Sequence, residues 1–291
     1  MNAQVPDLAD RTVLITGGNS GIGKATAALL AGAGADVTIT ARDAGRGAAA
    51  AEDIRSDAGG RGRVEVADLD LARLASVRSF AEQFLAEHPQ LDVLVLNAGL
   101  TSARRQVTED GFELMFQVNH LAHFLLTRLL LDRLIASAPS RVVVVASVAH
   151  KGSGLDFEDL QSERSFSGMG TYGRSKLANV LFTRELARRL EGSGVIANAL
   201  HPGTVRTRWG ADGDAGFLLT WGLRTARWVF LSPQKAAQRV AHLAVGAEVD
   251  GRTGGYYVRN RLVDPAPAGR DDEAARRLWE VSEELLGLPA L

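Results

Sequence analysis

Thr12-Val13-Leu14-Ile15-Thr16-Gly17-Gly18-Asn19-Ser20-Gly21-Ile22-Gly23-Lys24 is the stretch that decides how the rest of the chain is read. Its β-branched and apolar start predicts a short strand over Thr12–Thr16, and the glycines end that strand abruptly. Ile22–Ala33 then carries a helical pattern that stops near Gly32 and Gly34. A glycine turn between strand and helix places unpaired helix N-terminal amides where a phosphate can sit. Glycine also lets the backbone approach that phosphate closely. Two phosphate readings compete with a plain turn. Gly18 to Lys24 fits G-x-x-x-x-G-K, the opening of a nucleotide-hydrolysing loop. That loop needs Ser or Thr next, to hold magnesium, and Ala25 stands there. Its partner strand should end in Asp, yet Val93–Leu96 runs into Asn97. A dinucleotide loop needs neither ligand and is the better reading.

Outward from this loop, strands and helices alternate. Val37–Thr40, Val64–Ala67, Leu91–Leu96, Arg141–Ala146 and Val195–Leu200 are strand-like, and several are apolar on both faces. Asp43–Asp57, Leu71–Glu87, Phe112–Ile135 and Tyr172–Leu190 are helix-like. Repeated β-α-β units predict an α/β fold with a doubly wound, mostly parallel sheet and helices on both faces. No linker, repeat or low-complexity segment interrupts the chain, so residues 1–291 read as one catalytic domain. Gly152–Gly170 and Trp209–Ser232 depart from the alternation. A helical tail is expected around 271–287.

Composition narrows the function classes. Lys and Arg number 33 against 34 Asp and Glu, a formal net charge of −1, which argues against a broad basic face for nucleic acid. The absence of Cys excludes disulfides, thiolate nucleophiles and Cys-ligated metal sites. Met1–Arg11 is polar and acidic, without the basic and apolar regions of a secretory signal. No apolar run approaches the ~20 residues that cross a bilayer. A cytoplasmic protein without an integral membrane segment is the expectation.

Further motifs follow in order at the strand ends. Asn97-Ala98-Gly99 follows the fourth strand, Ser147 the fifth, and Pro202-Gly203 the sixth, with Tyr172-Gly173-Arg174-Ser175-Lys176 between the last two. Together with Thr16, Gly17, Gly21 and Gly23, these resemble the short-chain dehydrogenase/reductase family over roughly residues 10–260, a Rossmann-type fold. Val118–Phe124, Ser175–Glu185 and His201–Thr204 are similar to its retinol-dehydrogenase-like branch, which acts on retinoids and other lipophilic alcohols or carbonyls. Ala146 departs from the Ser that commonly precedes the active Ser.

The resemblance implies a catalytic set of Asn119, Ser147, Tyr172 and Lys176. It carries cofactor contacts to Gly17, Asn19, Ser20, Gly21, Ile22, Gly23, Arg42, Asp68, Leu69, Asn97, Ala98 and Gly99. It extends them to Tyr172, Lys176, Pro202, Gly203, Thr204, Val205 and Thr207. Lys176 would also bond the nicotinamide ribose, and Asn119 would hold a proton-relay water. The chemistry stands without the name. Tyr172 and Lys176, four residues apart on one helix, share a face. A free phenol titrates near ~10, and an adjacent ammonium is expected to draw it toward working pH. Tyr172 then exchanges a proton with an alcohol or carbonyl oxygen, and Ser147 bonds that oxygen as charge develops.

Cofactor choice turns on Thr40-Ala41-Arg42-Asp43. A carboxylate after the second strand pairs with the ribose of NAD, whereas an Arg suits the 2′-phosphate of NADP. Ala41 stands at the carboxylate's place and Arg42 follows, so NADP(H) is expected over NAD(H). The alternative is that Arg42 merely pairs with Asp43 or another surface carboxylate. Asp68 falls near adenine by resemblance, or else caps the following helix. His120 and His123 lack the further ligands of a metal site, and no G-x-S-x-G surrounds Ser147, so no metal and no hydrolase triad is expected. Trp209, Trp221, Trp228, Phe217 and Phe230 fall in an expected substrate lid around 205–232, or form a lipid-docking surface. The resemblance admits a homodimer or homotetramer, paired through the Tyr172 helix and the one before it. The functional alternative is a catalytically silent NADP(H)-sensing protein on the same fold.

Overall fold

Eight strands build one sheet in the order β3-β2-β1-β4-β5-β6-β7-β8 in a computed structural model that describes residues 5–204 and 231–291. They are β1 (Thr12–Ile15), β2 (Asp36–Ala41), β3 (Val64–Asp68), β4 (Val93–Leu96), β5 (Ser140–Val145), β6 (Val195–His201), β7 (Tyr256–Val258) and β8 (Arg261–Val263). Each neighbouring pair is parallel except β7 with β8. Strand order reverses between β1 and β4, which opens a crevice beyond their carboxyl ends. The doubly wound, mostly parallel sheet is the one the alternation predicts.

The central strands are apolar on both faces because each face has its own core. Leu14, Leu94, Leu96, Val142 and Val144 face one side, in a core shared with α3 (Leu74–Glu87), α5 (Ala122–Leu129) and α7 (Gly168–Arg189), onto which α9 (Asp272–Leu286) packs from outside. Val13, Ile15, Val93, Val95, Val143 and Val145 face the other, under α1 (Gly21–Gly32), α2 (Ala44–Asp57) and α8 (Pro233–Val245). Burial of these residues at roughly 25 cal/mol per Å² supplies the main drive for folding.

Helix ends follow their capping residues. Asp43 accepts from Arg46 N at 2.7 Å to start α2, Ser167 from Gly170 N at 3.1 Å to start α7, and Asp271 from Ala274 N at 2.9 Å to start α9. The last of these begins the expected C-terminal helix.

Three regions differ from the sequence reading. The long helix expected over Phe112–Ile135 runs from Leu114 to Ala136 as α4 (Leu114–Phe116), a wide π-turn at Gln117–Leu121, α5, and α6 (Leu131–Ala136), so its pitch changes where a regular helix is expected. Glu113 starts it by accepting from Phe116 N at 2.7 Å, and the wide turn contains Asn119. Helix α8 went unrecognised, although Ser232 caps it and Pro233 opens it. Strands β7 and β8 are three residues each, and their turn uses Arg259 and Asn260 at φ 53° and 62°. Two positive φ values suit an Asn-Gly turn, so Arg-Asn gives little signal.

Helix α9 lies across the outward side of α5 and α7, the pair through which the resemblance implied assembly. Trp279, buried, meets Phe124 edge-on at 4.7 Å and stacks on Phe182 at 6.0 Å. Arg128 of α5 pairs with Glu283, which also accepts from Trp279 Nε1 at 2.7 Å. No helix among the described residues is long and apolar enough to cross a membrane.

Candidate active site

The expected site residues within the described chain gather along the carboxyl edge of the sheet. Gly17 and Gly21 adopt φ of 64° and 55°, a conformation in which a side chain is strained. Gly18 and Gly23 are required for space. A Cβ on Gly18 would lie 2.5 Å from the Ile39 side chain, and one on Gly23 2.6 Å from Asn97 Nδ2 and the Gly17 carbonyl. Ser20 is the N-cap of α1, but no side chain caps the helix and its first turn has no acidic residue. Asn19, Ser20, Gly21, Ile22 and Gly23 therefore present backbone at an uncapped helix terminus, suited to an anion.

Thr16 ties this loop to the end of β4. Its Oγ1 accepts from Asn97 N at 2.9 Å and Ala98 N at 3.0 Å, while Asn97 Nδ2 donates to the Thr16 carbonyl at 2.9 Å. His123 completes the junction. Its Nδ1 donates to the Asn119 carbonyl at 3.3 Å, so its Nε2, 2.9 Å from Thr16 Oγ1, accepts the hydroxyl proton. Burial and the nearby Lys176 charge push His123 down to about 3, so it stays neutral. His120 is likewise buried and meets Ser282 Oγ at 3.0 Å. The two histidines act as packing groups with hydroxyl partners. Thr16 and His123 were not among the expected site residues.

Asn119, Lys176 and Gly99 meet at one point. Asn119 Oδ1 accepts from Leu100 N at 2.8 Å, and its Nδ2 donates to the Leu100 carbonyl at 3.0 Å and to Ser175 Oγ at 2.9 Å. A Cβ on Gly99 would lie 3.1 Å from Asn119 Oδ1 and 3.3 Å from Lys176 Nζ. Lys176 is buried and donates to the Val145 carbonyl at 2.9 Å. Ser147 follows β5 in extended backbone, its Oγ accepting from Ala149 N at 3.2 Å and its hydroxyl bonding the Tyr172 phenol.

The titration of the pair departs from expectation. Burial pushes Tyr172 up to about 12, and the bond from Ser147 offsets only part of that rise. Lys176 is itself pushed down to about 8 by burial. Desolvation of the phenol thus outweighs the one contribution that opposes it, the Ser147 hydrogen bond. Tyr172 is therefore a protonated phenol across neutral pH.

The remaining residues lie along the same edge. Arg42 is exposed directly after β2, and among the described residues it forms no ion pair. Asp43 instead caps α2 and lies 3.7 Å from Arg46 Nε, so the expected alternative partner of Arg42 is engaged elsewhere. Asp68 ends β3, exposed, and does not cap the next helix: Leu74 N, opening α3, bonds Asp110 Oδ2 at 2.9 Å. Leu69 is buried, with its N–H on the Ala41 carbonyl at 3.3 Å. Pro202 accepts from Arg239 at 2.9 Å, Gly203 has φ 102°, and the Thr204 carbonyl accepts from Leu231 N at 2.8 Å. Val205, Thr207 and the aromatic lid segment lie outside the described residues. No group of three metal-ligating side chains occurs among the described residues.

Comparison with known proteins matches residues 11–215 to the family described as short chain dehydrogenase. Retinol dehydrogenase 14 of Mus musculus is 47% identical over 288 residues, covering 96% of this chain and 86% of its own. Retinol dehydrogenase 12 of Homo sapiens is 46% identical over 292 residues, covering 99% and 89%. Among solved structures, an uncharacterized protein from Mycobacterium paratuberculosis superposes with TM-score 0.80 at 35% identity, over 100% of this chain and 99% of that one. The NADP active-site complex of Pseudomonas aeruginosa RhlG superposes with TM-score 0.68 at 28% identity, over 88% and 96%.

Proposed function

The chain belongs to the short-chain dehydrogenase family and is an oxidoreductase acting on CH–OH groups, and on that premise we propose that it interconverts a lipophilic alcohol and its aldehyde or ketone with NADP(H). The observation that carries this reading is the convergence of Ser147, Tyr172, Lys176 and Asn119 beside an open glycine loop at the reversal of strand order. The names of the relatives, retinol dehydrogenases 12 and 14, favour a retinoid-like substrate.

The residues fit a dinucleotide. The loop from Gly17 to Gly23 has no room for side chains at Gly18 and Gly23, and its helix terminus has no internal anion. Its backbone would hold the pyrophosphate, Arg42 the 2′-phosphate, Asp68 and Leu69 the adenine, and Lys176 the nicotinamide ribose. Asn97, Ala98, Gly99, Pro202, Gly203 and Thr204 would frame the rest. Bound there, the dinucleotide supplies or takes up the hydride at the carbon bearing the reacting oxygen.

The chain's own groups handle the oxygen. In reduction the carbonyl π pair moves onto oxygen, Ser147 donates a hydrogen bond to it, and Tyr172 gives up its phenolic proton. The phenolate regains a proton from solvent. Lys176, held by the Val145 carbonyl, stabilises the phenolate at that moment. Asn119 holds the Leu100 backbone and Ser175 in place. Oxidation runs the same steps in reverse.

Purified protein with NADPH or NADH and a panel of aldehydes, retinaldehyde and short hydrophilic ones among them, tests the reading. NADPH consumption with the apolar members is the expected result. Tight NADPH binding without turnover on any carbonyl would favour the silent binding protein instead.

A further inference from the structure

Ser147 lies past the end of β5, where no ladder fixes its backbone, and the turn Val148–His150 follows at once. The His150 ring folds back on that turn. Its Nδ1 is 2.6 Å from the Ser147 carbonyl oxygen, and its Nε2 is 3.1 Å from the backbone nitrogen of Ala266. A carbonyl can only accept and an amide N–H can only donate. The ring is therefore neutral, with its single proton on Nδ1. It is fully buried and meets Tyr256 edge-on at 4.9 Å.

The two ends of this strap are themselves anchored on α7. A Cβ on Gly173, beside Tyr172, would come within 2.7 Å of the Ala149 carbonyl and 2.3 Å of Ser153 Oγ, so the turn rests directly on the helix. A Cβ on Gly269, three residues beyond Ala266, would lie 3.2 Å from Val180 Cγ1 of the same helix. The histidine thus joins the turn bearing Ser147 to a segment 116 residues away.

We infer that His150 is a positioning residue for Ser147: its Nδ1–H holds the Ser147 carbonyl while Ala266 holds the ring, which aims the Ser147 hydroxyl at the Tyr172 phenol. This rests on the role given to Ser147 above. A displacement of the order of 1 Å in an aligned group costs about 100-fold in rate, so the strap acts on the chemical step and not on dinucleotide binding.

Two amide variants separate the bonds. Asn places its amide near Nδ1 and keeps the donor to Ser147, whereas Gln reaches the Nε2 position and keeps only the acceptor for Ala266. The kcat and carbonyl KM, the NADPH Kd and the Tm are measured for His150→Asn, His150→Gln and His150→Phe. His150→Gln and His150→Phe should lose about 10- to 100-fold in kcat with NADPH Kd within about twofold, and His150→Asn should recover most of that loss. Equal kcat in Asn and Gln variants, or losses that follow Tm alone, would overturn the inference. If the Phe variant does not fold, the Asn and Gln pair decides. A readout free of turnover is the ¹⁵N spectrum of histidine-labelled protein, with His150 assigned by its loss in His150→Asn. Nδ1 protonation is expected. Nε2 protonation would overturn the strap whatever the activity, whereas Nδ1 protonation in a protein inactive on every carbonyl would leave the strap standing and sink the proposed function.

Discussion

Lys176 Nζ donates to the carbonyl of Val145 at 2.9 Å, two residues before Ser147, and so ties the helix of Tyr172 to the strand end that carries its partner. Burying an ammonium on one carbonyl is costly, which is why burial brings Lys176 down to about 8 from 10.5. Between those values the unfolded chain binds more protons than the folded one, so this cost falls as pH rises through that window and is full below it. In protein free of dinucleotide, the natural chain should gain on the order of 3 kcal/mol of stability relative to Lys176→Met from pH 8 to above 10.5. Denaturant melts at stepped pH measure it, and a constant gap would contradict the buried ammonium.

Tyr172, pushed up to about 12, gives the two reaction directions opposite demands. Reduction needs the phenol, which persists throughout neutral and mildly alkaline pH. Oxidation needs the phenolate, whose share grows with pH. Initial rates should show alcohol oxidation climbing as pH rises while carbonyl reduction does not rise over the same range; oxidation independent of pH would count against Tyr172 as the base.

Arg42 is the cation beside β2, with Asp43 already engaged by Arg46. Replacing it with Asp should weaken NADPH by about 10-fold or more, the scale of about 1.5–3 kcal/mol for a charged hydrogen bond, and leave NADH little changed. Fluorescence titration with both dinucleotides decides it, and an unchanged NADPH-to-NADH ratio would remove Arg42 from the phosphate site.

Thr16 Oγ1 serves the amides of Asn97 and Ala98 and donates toward His123. Thr16→Val keeps the shape and strands the Ala98 amide and His123 Nε2, while Asn97 N keeps the Val95 carbonyl at 3.1 Å. Each buried group left unpaired costs about 1–3 kcal/mol, so a fall of several degrees in Tm is expected together with weaker dinucleotide binding. A variant as stable as the natural chain would show that the junction is not held by this hydroxyl.

Trp279 joins α9 to Phe124 and Phe182. Truncation to Ala should cost about 3–5 kcal/mol, as for other fully buried large side chains, and be read as a lowered denaturant midpoint. A loss below about 1 kcal/mol, typical of surface sites, would mean that α9 is only loosely docked.

Much of this arrangement was legible in the order of residues. The loop of Gly17 to Gly23, Asn97-Ala98-Gly99 and Ser147 each follow a strand end, and the Tyr172–Lys176 pair shares one face of the first half of α7, so local pattern is strong and the parallel sheet brings these groups to one edge. The π-turn at Gln117–Leu121 is hidden because Phe116, Val118, Leu121 and Phe124 are buried and apolar as in any core helix. The β7–β8 hairpin was hidden by its Arg259-Asn260 turn. The Thr16–His123 and His150–Ala266 contacts join residues 107 and 116 positions apart, and only the folded chain supplies them. The rise of Tyr172 is not legible in residue spacing, because burial of the phenol is a tertiary property.

The account rests most heavily on Tyr172 as the group that exchanges a proton with the substrate oxygen. The direct measurement is single-turnover reduction of retinaldehyde by the NADPH-loaded protein, compared between the natural chain and Tyr172→Phe. Loss of about 10²- to 10⁴-fold in rate, with NADPH Kd changed by less than about twofold, is the predicted result. A Phe variant reducing the aldehyde within about threefold of the natural rate would contradict the account.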